Sequence, residues 1–133
     1  MKLRINESST LYEMANFGPN TTGEHFTLWI DEAGKLRKTK HCLPRFKPEA
    51  NDVQLDIVID KGIVRFDKET KQQLRKFKYG NEALEFVEKF KTPLLMHWNK
   101  EIDTAQLGVI IRLVTKKKYT VDDAVEAVLN DEY

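Results

Sequence analysis

Apolar residues keep one period up to about residue 67 and another beyond it. In the first half they alternate with polar residues over short runs, the pattern of half-buried strands. His25-Phe26-Thr27-Leu28-Trp29-Ile30 is aromatic and β-branched. Lys35 to Lys40 reads as its returning partner across the Asp31-Glu32-Ala33-Gly34 turn. Val53 to Ile59 alternates and then runs apolar, Asp60-Lys61-Gly62 turns it, and Ile63-Val64-Arg65-Phe66 returns. Residues 2–5 alternate weakly and offer a further first strand. Residues 6–23 carry Asn16, Gly18, Pro19, Asn20 and Gly23 and read as turns, and residues 43–52, with Pro44 and Pro48, read as an irregular connection. Four strand candidates joined by short turns predict an antiparallel sheet.

Beyond Asp67 the spacing becomes helical. Glu69 to Lys78 predicts a short helix with Leu74 and Phe77 inward, stopped by Gly80. Leu84, Val87, Phe90, Leu94 and Trp98 then recur every three or four residues. Pro93 interrupts this stripe: either Thr92 caps a new helix with Pro93 at its first position, or Pro93 kinks one long helix. Asp103-Thr104-Ala105-Gln106 is a capping-box signature, and Leu107, Ile110, Ile111 and Val114 follow on one face. Lys116 to Lys118 suit a helix C-terminus. Thr120 caps a last helix with Val121, Ala124, Val125, Val128 and Leu129 inward. Strands first and helices later predict one α+β domain over residues 1–133, with about four strands in 1–67 and three or four helices in 68–133.

Charge changes this picture more than composition does. The 133 residues hold 22 Lys and Arg against 21 Asp and Glu, a formal net charge of +1, which argues against a uniformly basic nucleic-acid packer. The sum hides segregation. Lys35, Arg37, Lys38, Lys40, Arg45 and Lys47 stand in residues 35–48 with no acid, a local +6. Residues 61–78 carry seven bases and two acids, and residues 120–133 carry Asp122, Asp123, Glu126, Asp131 and Glu132 with no base. A basic, strand-borne face with Trp29 and Phe46 nearby would suit a phosphate backbone or stacked bases. Ordinary solvated strand and helix surfaces give the same pattern. The acidic end reads either as a cover for the basic region or as a soluble terminal helix.

The sequence carries no run of apolar residues long enough to span a membrane, and no apolar stretch of a signal peptide follows Met1. A cytoplasmic protein is therefore expected, and the sequons at Asn6 and Asn20 then carry no meaning. Cys42 stands alone, so neither an internal disulfide nor a multi-cysteine zinc site is expected. His25, His41 and His97 lack the spacing of a metal pair on one helical turn. No metal and no cofactor are predicted. His41 and Cys42 are adjacent and would point to opposite faces of a strand, which argues against a nucleophile–base pair. Phe17-Gly18-Pro19-Asn20-Thr21-Thr22-Gly23 is the most unusual loop: its glycines, Gly18 and Gly23, suit either an anion-binding backbone or a structured turn.

Two motifs point to a family. One is Asn16-Phe17-Gly18-Pro19-Asn20-Thr21-Thr22-Gly23 followed by Phe26 to Ile30. The other is Leu94-Leu95-Met96-His97-Trp98-Asn99-Lys100-Glu101-Ile102-Asp103-Thr104. Together they resemble a group of small bacterial proteins built on a domain of unknown function, over roughly residues 1–113. The group usually has Tyr where this chain has His97 and Gly where it has Lys100. Pro93 and the tail after Thr115 look like additions. No catalytic residue carries over. The resemblance implies a small cytoplasmic bacterial protein with an antiparallel sheet and C-terminal helices, linked to mobile elements or toxin–antitoxin pairs.

The resulting expectation is a non-enzymatic binding module. Its ligand-binding residues are Lys35, Arg37, Lys38, Lys40, Arg45 and Lys47, with Phe17, Gly18 and Gly23 at one edge. Its partner is nucleic acid or an acidic protein surface, and a homodimer on the apolar helices is a further possibility. The competing expectation is a metal-independent nuclease-like enzyme or toxin–antitoxin component. There His25 acts as acid and base, since His titrates near neutral pH, and Arg37 or Arg45 holds phosphate.

Overall fold

The structure is a computed structural model that describes residues 14–31, 43–68 and 71–133. Its elements in chain order are β1 (Met14–Phe17), α1 (Pro19–Thr22), β2 (Thr27–Asp31), β3 (Arg45–Ala50), β4 (Val53–Gln54), β5 (Ile57–Asp60), β6 (Ile63–Phe66), α2 (Lys71–Lys76), α3 (Gly80–Lys89), α4 (Lys91–Trp98), α5 (Thr104–Lys117) and α6 (Val121–Leu129). The strands form one antiparallel sheet in the order β1-β2-β3-β5-β6, with β4 paired to the end of β3. The chain is a single α+β domain, as its pattern predicts.

Register decides which face is buried, because side chains alternate with a period of two. Ile30 lies opposite Phe46, Phe46 opposite Ile57, and Ile57 opposite Phe66, so these four share the inner face. Phe17, Leu28, Pro48 and Ile59 join them, and helices cover this face. Phe26 meets the edge of Phe86 at 6.0 Å, and Phe86 lies 4.6 Å from Phe90. Val87, Leu94, Leu107, Ile110 and Ile111 complete a continuous core. Each fully buried large side chain contributes about 1.5–3 kcal/mol relative to exposure. α6 closes the helical layer by burying Ala124 and Val128.

Six described strands replace the expected four or so, and proline explains one of the additions. β3 runs through Pro48, in a stretch that reads as irregular. The Pro48 carbonyl accepts from Leu55 N at 3.0 Å, so its missing N–H points at the bend between β4 and β5. The ladder is interrupted there, and proline is tolerated at such breaks. The same bend divides the single strand expected over Val53–Ile59 in two. β1 occupies residues that read as turns. The strand expectations at 2–5 and 35–40 lie outside the described residues.

Five described helices lie in 68–133 where three or four are expected, and Gly80, expected to stop a helix, opens α3; the predicted caps hold at α5 and α6. Asp103 and Gln106 form both arms of the capping box, at 2.7 and 2.8 Å, and Asp123 N donates to Thr120 Oγ1 at 3.1 Å. Neither expectation for Pro93 is realised. The chain breaks at Phe90, which ends α3 and caps α4, and Pro93 sits in the first turn of α4, where a missing N–H costs little. Leu129, expected inward, is exposed beyond the last buried turn of α6.

Candidate functional site

The sequence places Trp29, Arg45 and Lys47 on alternating strand positions, and register brings them to the outer sheet face. Trp29 lies opposite both Asn16 and Lys47, while Arg45 lies opposite Val58 and Val58 opposite Arg65. Phe46, expected near this face, points the other way into the core. The outer cations have carboxylate partners from distant residues. Arg45 donates to Asp67 and stands 3.7 Å from Asp56, Lys47 stands 3.7 Å from Asp56, and Arg65 pairs with Asp60 at 3.1 Å. Burial alone would push the Arg45 guanidinium down. Its hydrogen bond to Asp67 and the charges of Asp56 and Asp67 outweigh that, and its pKa is raised. Trp29 Nε1 donates to Glu49 Oε1 at 2.7 Å. Among the described residues, Arg45, Lys47 and Arg65 on this face are matched by carboxylates.

The Phe17–Gly23 loop is spent on packing. Phe17 is buried in the core, and a Cβ on Gly108 of α5 would stand 3.2 Å from its ring. Gly18 caps α1, its carbonyl accepting from Thr21 N at 2.9 Å and Thr22 N at 3.0 Å. Pro19 opens that turn, where proline is favoured. Gly23 ends it at φ +74°, the left-handed region that glycine enters without a Cβ penalty. Thr22 is fully buried and its hydroxyl donates to the Phe26 carbonyl, while Thr115 Oγ1 donates to the Thr21 carbonyl at 3.4 Å. The loop thus docks β2 onto α5.

That docking presents His25, which is exposed just before β2. Its ring stacks on Tyr79, with centroids 5.3 Å apart and planes 25° apart. Tyr79 is half-buried and meets the edge of buried Phe77 at 6.1 Å. Lys78 Nζ lies 6.0 Å from the Tyr79 ring. Arg75, Lys76 and Lys78 are exposed, and among the described residues none has a carboxylate within ion-pair distance. Tyr79 escapes the sequence reading, although Arg75-Lys76-Phe77-Lys78-Tyr79 interleaves basic and aromatic residues.

Arg45 is not a partner for His25. Thr27 pairs with Glu49, four residues from Arg45, so about 13 Å of strand separates Arg45 from the end of β2 that carries His25. Lys35, Arg37, Lys38 and Lys40 lie outside the described residues, as do His41 and Cys42. His97 is buried, its Nε2 hydrogen-bonded to Thr104 Oγ1 at 2.9 Å. It borders an open groove lined by Lys100 to Gln106. Two further grooves border α6 and the α1–α5 contact, and His25 lines none of the three. Among the described residues no group of three or more His, Cys, Asp or Glu is placed to hold a metal ion, and no helix is long and apolar enough to cross a membrane.

The acidic terminal segment is carried by α6, whose packing partner is α5 in the helical layer. The carboxylates on Arg45 and Lys47 come instead from Asp56 and Asp67. Compared with family models, curated proteins and solved structures, the chain gives no match.

Proposed function

We propose that this chain is a non-enzymatic binding module for a polyanionic partner, nucleic acid before acidic protein. One observation carries the reading. Arg75, Lys76 and Lys78 are exposed and without carboxylate partners among the described residues, whereas Arg45, Lys47 and Arg65 are paired. Cations that keep their hydration and counterions are the ones that release counterions on meeting phosphates, and this release drives polyanion binding. Lys35, Arg37, Lys38 and Lys40 add four more cations with no acid between them. The resemblance to small bacterial domain proteins adds a setting, a mobile element or a toxin–antitoxin pair.

The test is retention on heparin and on mixed-sequence DNA along a salt gradient. The chain is expected to bind at about 50 mM salt and to elute as salt rises. Arg75→Ala/Lys76→Ala/Lys78→Ala and Lys35→Ala/Arg37→Ala/Lys38→Ala/Lys40→Ala are each expected to elute earlier. Flow-through of the unmodified chain, or unchanged elution of both variants, would overturn the reading.

A further inference from the structure

His25 and Tyr79 form a ring stack at the surface, and its two members differ in how they are held. Tyr79 is fixed from beneath by the edge contact with buried Phe77, which belongs to the core. His25 rides on Tyr79 at an exposed position fixed by the docked α1 turn. Among the described residues no second ring packs on the imidazole. The stack is therefore anchored through Tyr79, and its other member, His25, is exposed. Lys78 stands beside it, and Arg75 and Lys76 precede it by a few residues.

We propose that the His25–Tyr79 stack and Arg75, Lys76 and Lys78 form a site for single-stranded nucleic acid, in which one base extends the stack on the open imidazole face. This deepens the polyanion reading and rests on it. Histidine and tyrosine are both platforms on which unpaired bases stack. A duplex presents base edges, because its base faces are already covered by their neighbours, so an open ring favours a single strand. An acidic peptide would satisfy the lysines but leave the ring face unused. The cations supply the sequence-independent attraction to phosphates, and the stack supplies a preference for strands that carry bases. Since any base has a π-face, the site is tolerant of sequence.

The experiment measures binding of the full chain to three probes of similar phosphate number: fluorescein-labelled dT20, an abasic 20-mer and a 10-base-pair duplex. The chain is expected to bind dT20 about fivefold or more tightly than the abasic strand, since stacking contributes about 1–3 kcal/mol per base. His25→Ala is expected to lower that ratio, with the Tyr79 ring left as the remaining platform. The His25 ring-proton resonance is expected to move upfield with dT20 and to stay in place with the abasic strand. Equal binding of dT20 and the abasic strand by the unmodified chain would overturn the stacking site and leave the polyanion reading standing. Tighter binding of the duplex than of dT20, or an unchanged ratio in His25→Ala, would likewise overturn it. Absence of binding to all three probes would remove both proposals.

Discussion

Two regions of this protein are rich in Lys and Arg, and the fold treats them in opposite ways. On the outer sheet face, Arg45, Lys47 and Arg65 meet Asp56, Asp60 and Asp67, which lie from five to twenty-two residues away in sequence. At the junction of α2 and α3, Arg75, Lys76 and Lys78 are exposed and meet no carboxylate among the described residues, and Lys78 Nζ lies 6.0 Å from the Tyr79 ring that carries His25. A local charge count does not distinguish the two. What distinguishes them is the antiparallel register, which brings the bend at Asp56 and the end of β6 under the Arg45 guanidinium. Free charge, not total charge, decides where a polyanion can bind.

Substitutions in the two regions are expected to have different effects. The largest effect separates packing aromatics from surface aromatics. Phe17→Ala removes a buried ring against Gly108 and is expected to cost about 3–5 kcal/mol in urea unfolding, whereas His25→Ala is expected to stay within about 0.5 kcal/mol. Equal losses would mean that His25 is structural. Gly23→Ala comes next. It puts a Cβ at φ +74° in the turn that positions His25, and a loss of about 1–2 kcal/mol is expected by thermal or urea denaturation. Asp67→Asn weakens the principal partner of Arg45. The pair is partly exposed and therefore screened, so a loss of about 1 kcal/mol is expected, together with tighter binding of dT20 as Arg45 becomes available. Unchanged or weaker binding would mean that the sheet face has no latent role. The smallest effect concerns Lys100, which holds φ +63° in the turn before α5. Lys100→Gly is expected to raise stability by less than about 1 kcal/mol, the relief of a left-handed residue offset by backbone entropy.

Much of this fold is legible in the sequence, because its signals are local. The Ile57–Phe66 hairpin follows from alternation around Asp60-Lys61-Gly62, and α5 from Asp103, Gln106 and the spacing of Leu107, Ile110, Ile111 and Val114. The misses have non-local causes. Pro48 reads as a strand breaker until the β4–β5 bend gives its missing N–H a place where no partner is required. Phe17 and Gly18 read as loop edge until α5 offers the Gly108 gap that Phe17 fills. The site was legible only in part. His25 stands out as a residue, but its neighbour is Tyr79, more than fifty positions away, and no spacing rule links them. Arg45 was expected to hold phosphate, and only the register reveals that two carboxylates already hold it.

The salt dependence of dT20 affinity, measured side by side for two variants, separates the free cations from the matched ones. Arg75→Ala/Lys76→Ala/Lys78→Ala is expected to flatten the plot of log affinity against log salt by about 2, since each lost phosphate contact removes about 0.7 from the slope. Lys47→Gln/Arg65→Gln, which alters cations already matched by carboxylates, is expected to leave the slope unchanged. A flattened slope in the sheet variant with an intact slope in the α2–α3 variant would mean that the matched cations, not the free ones, meet the phosphates.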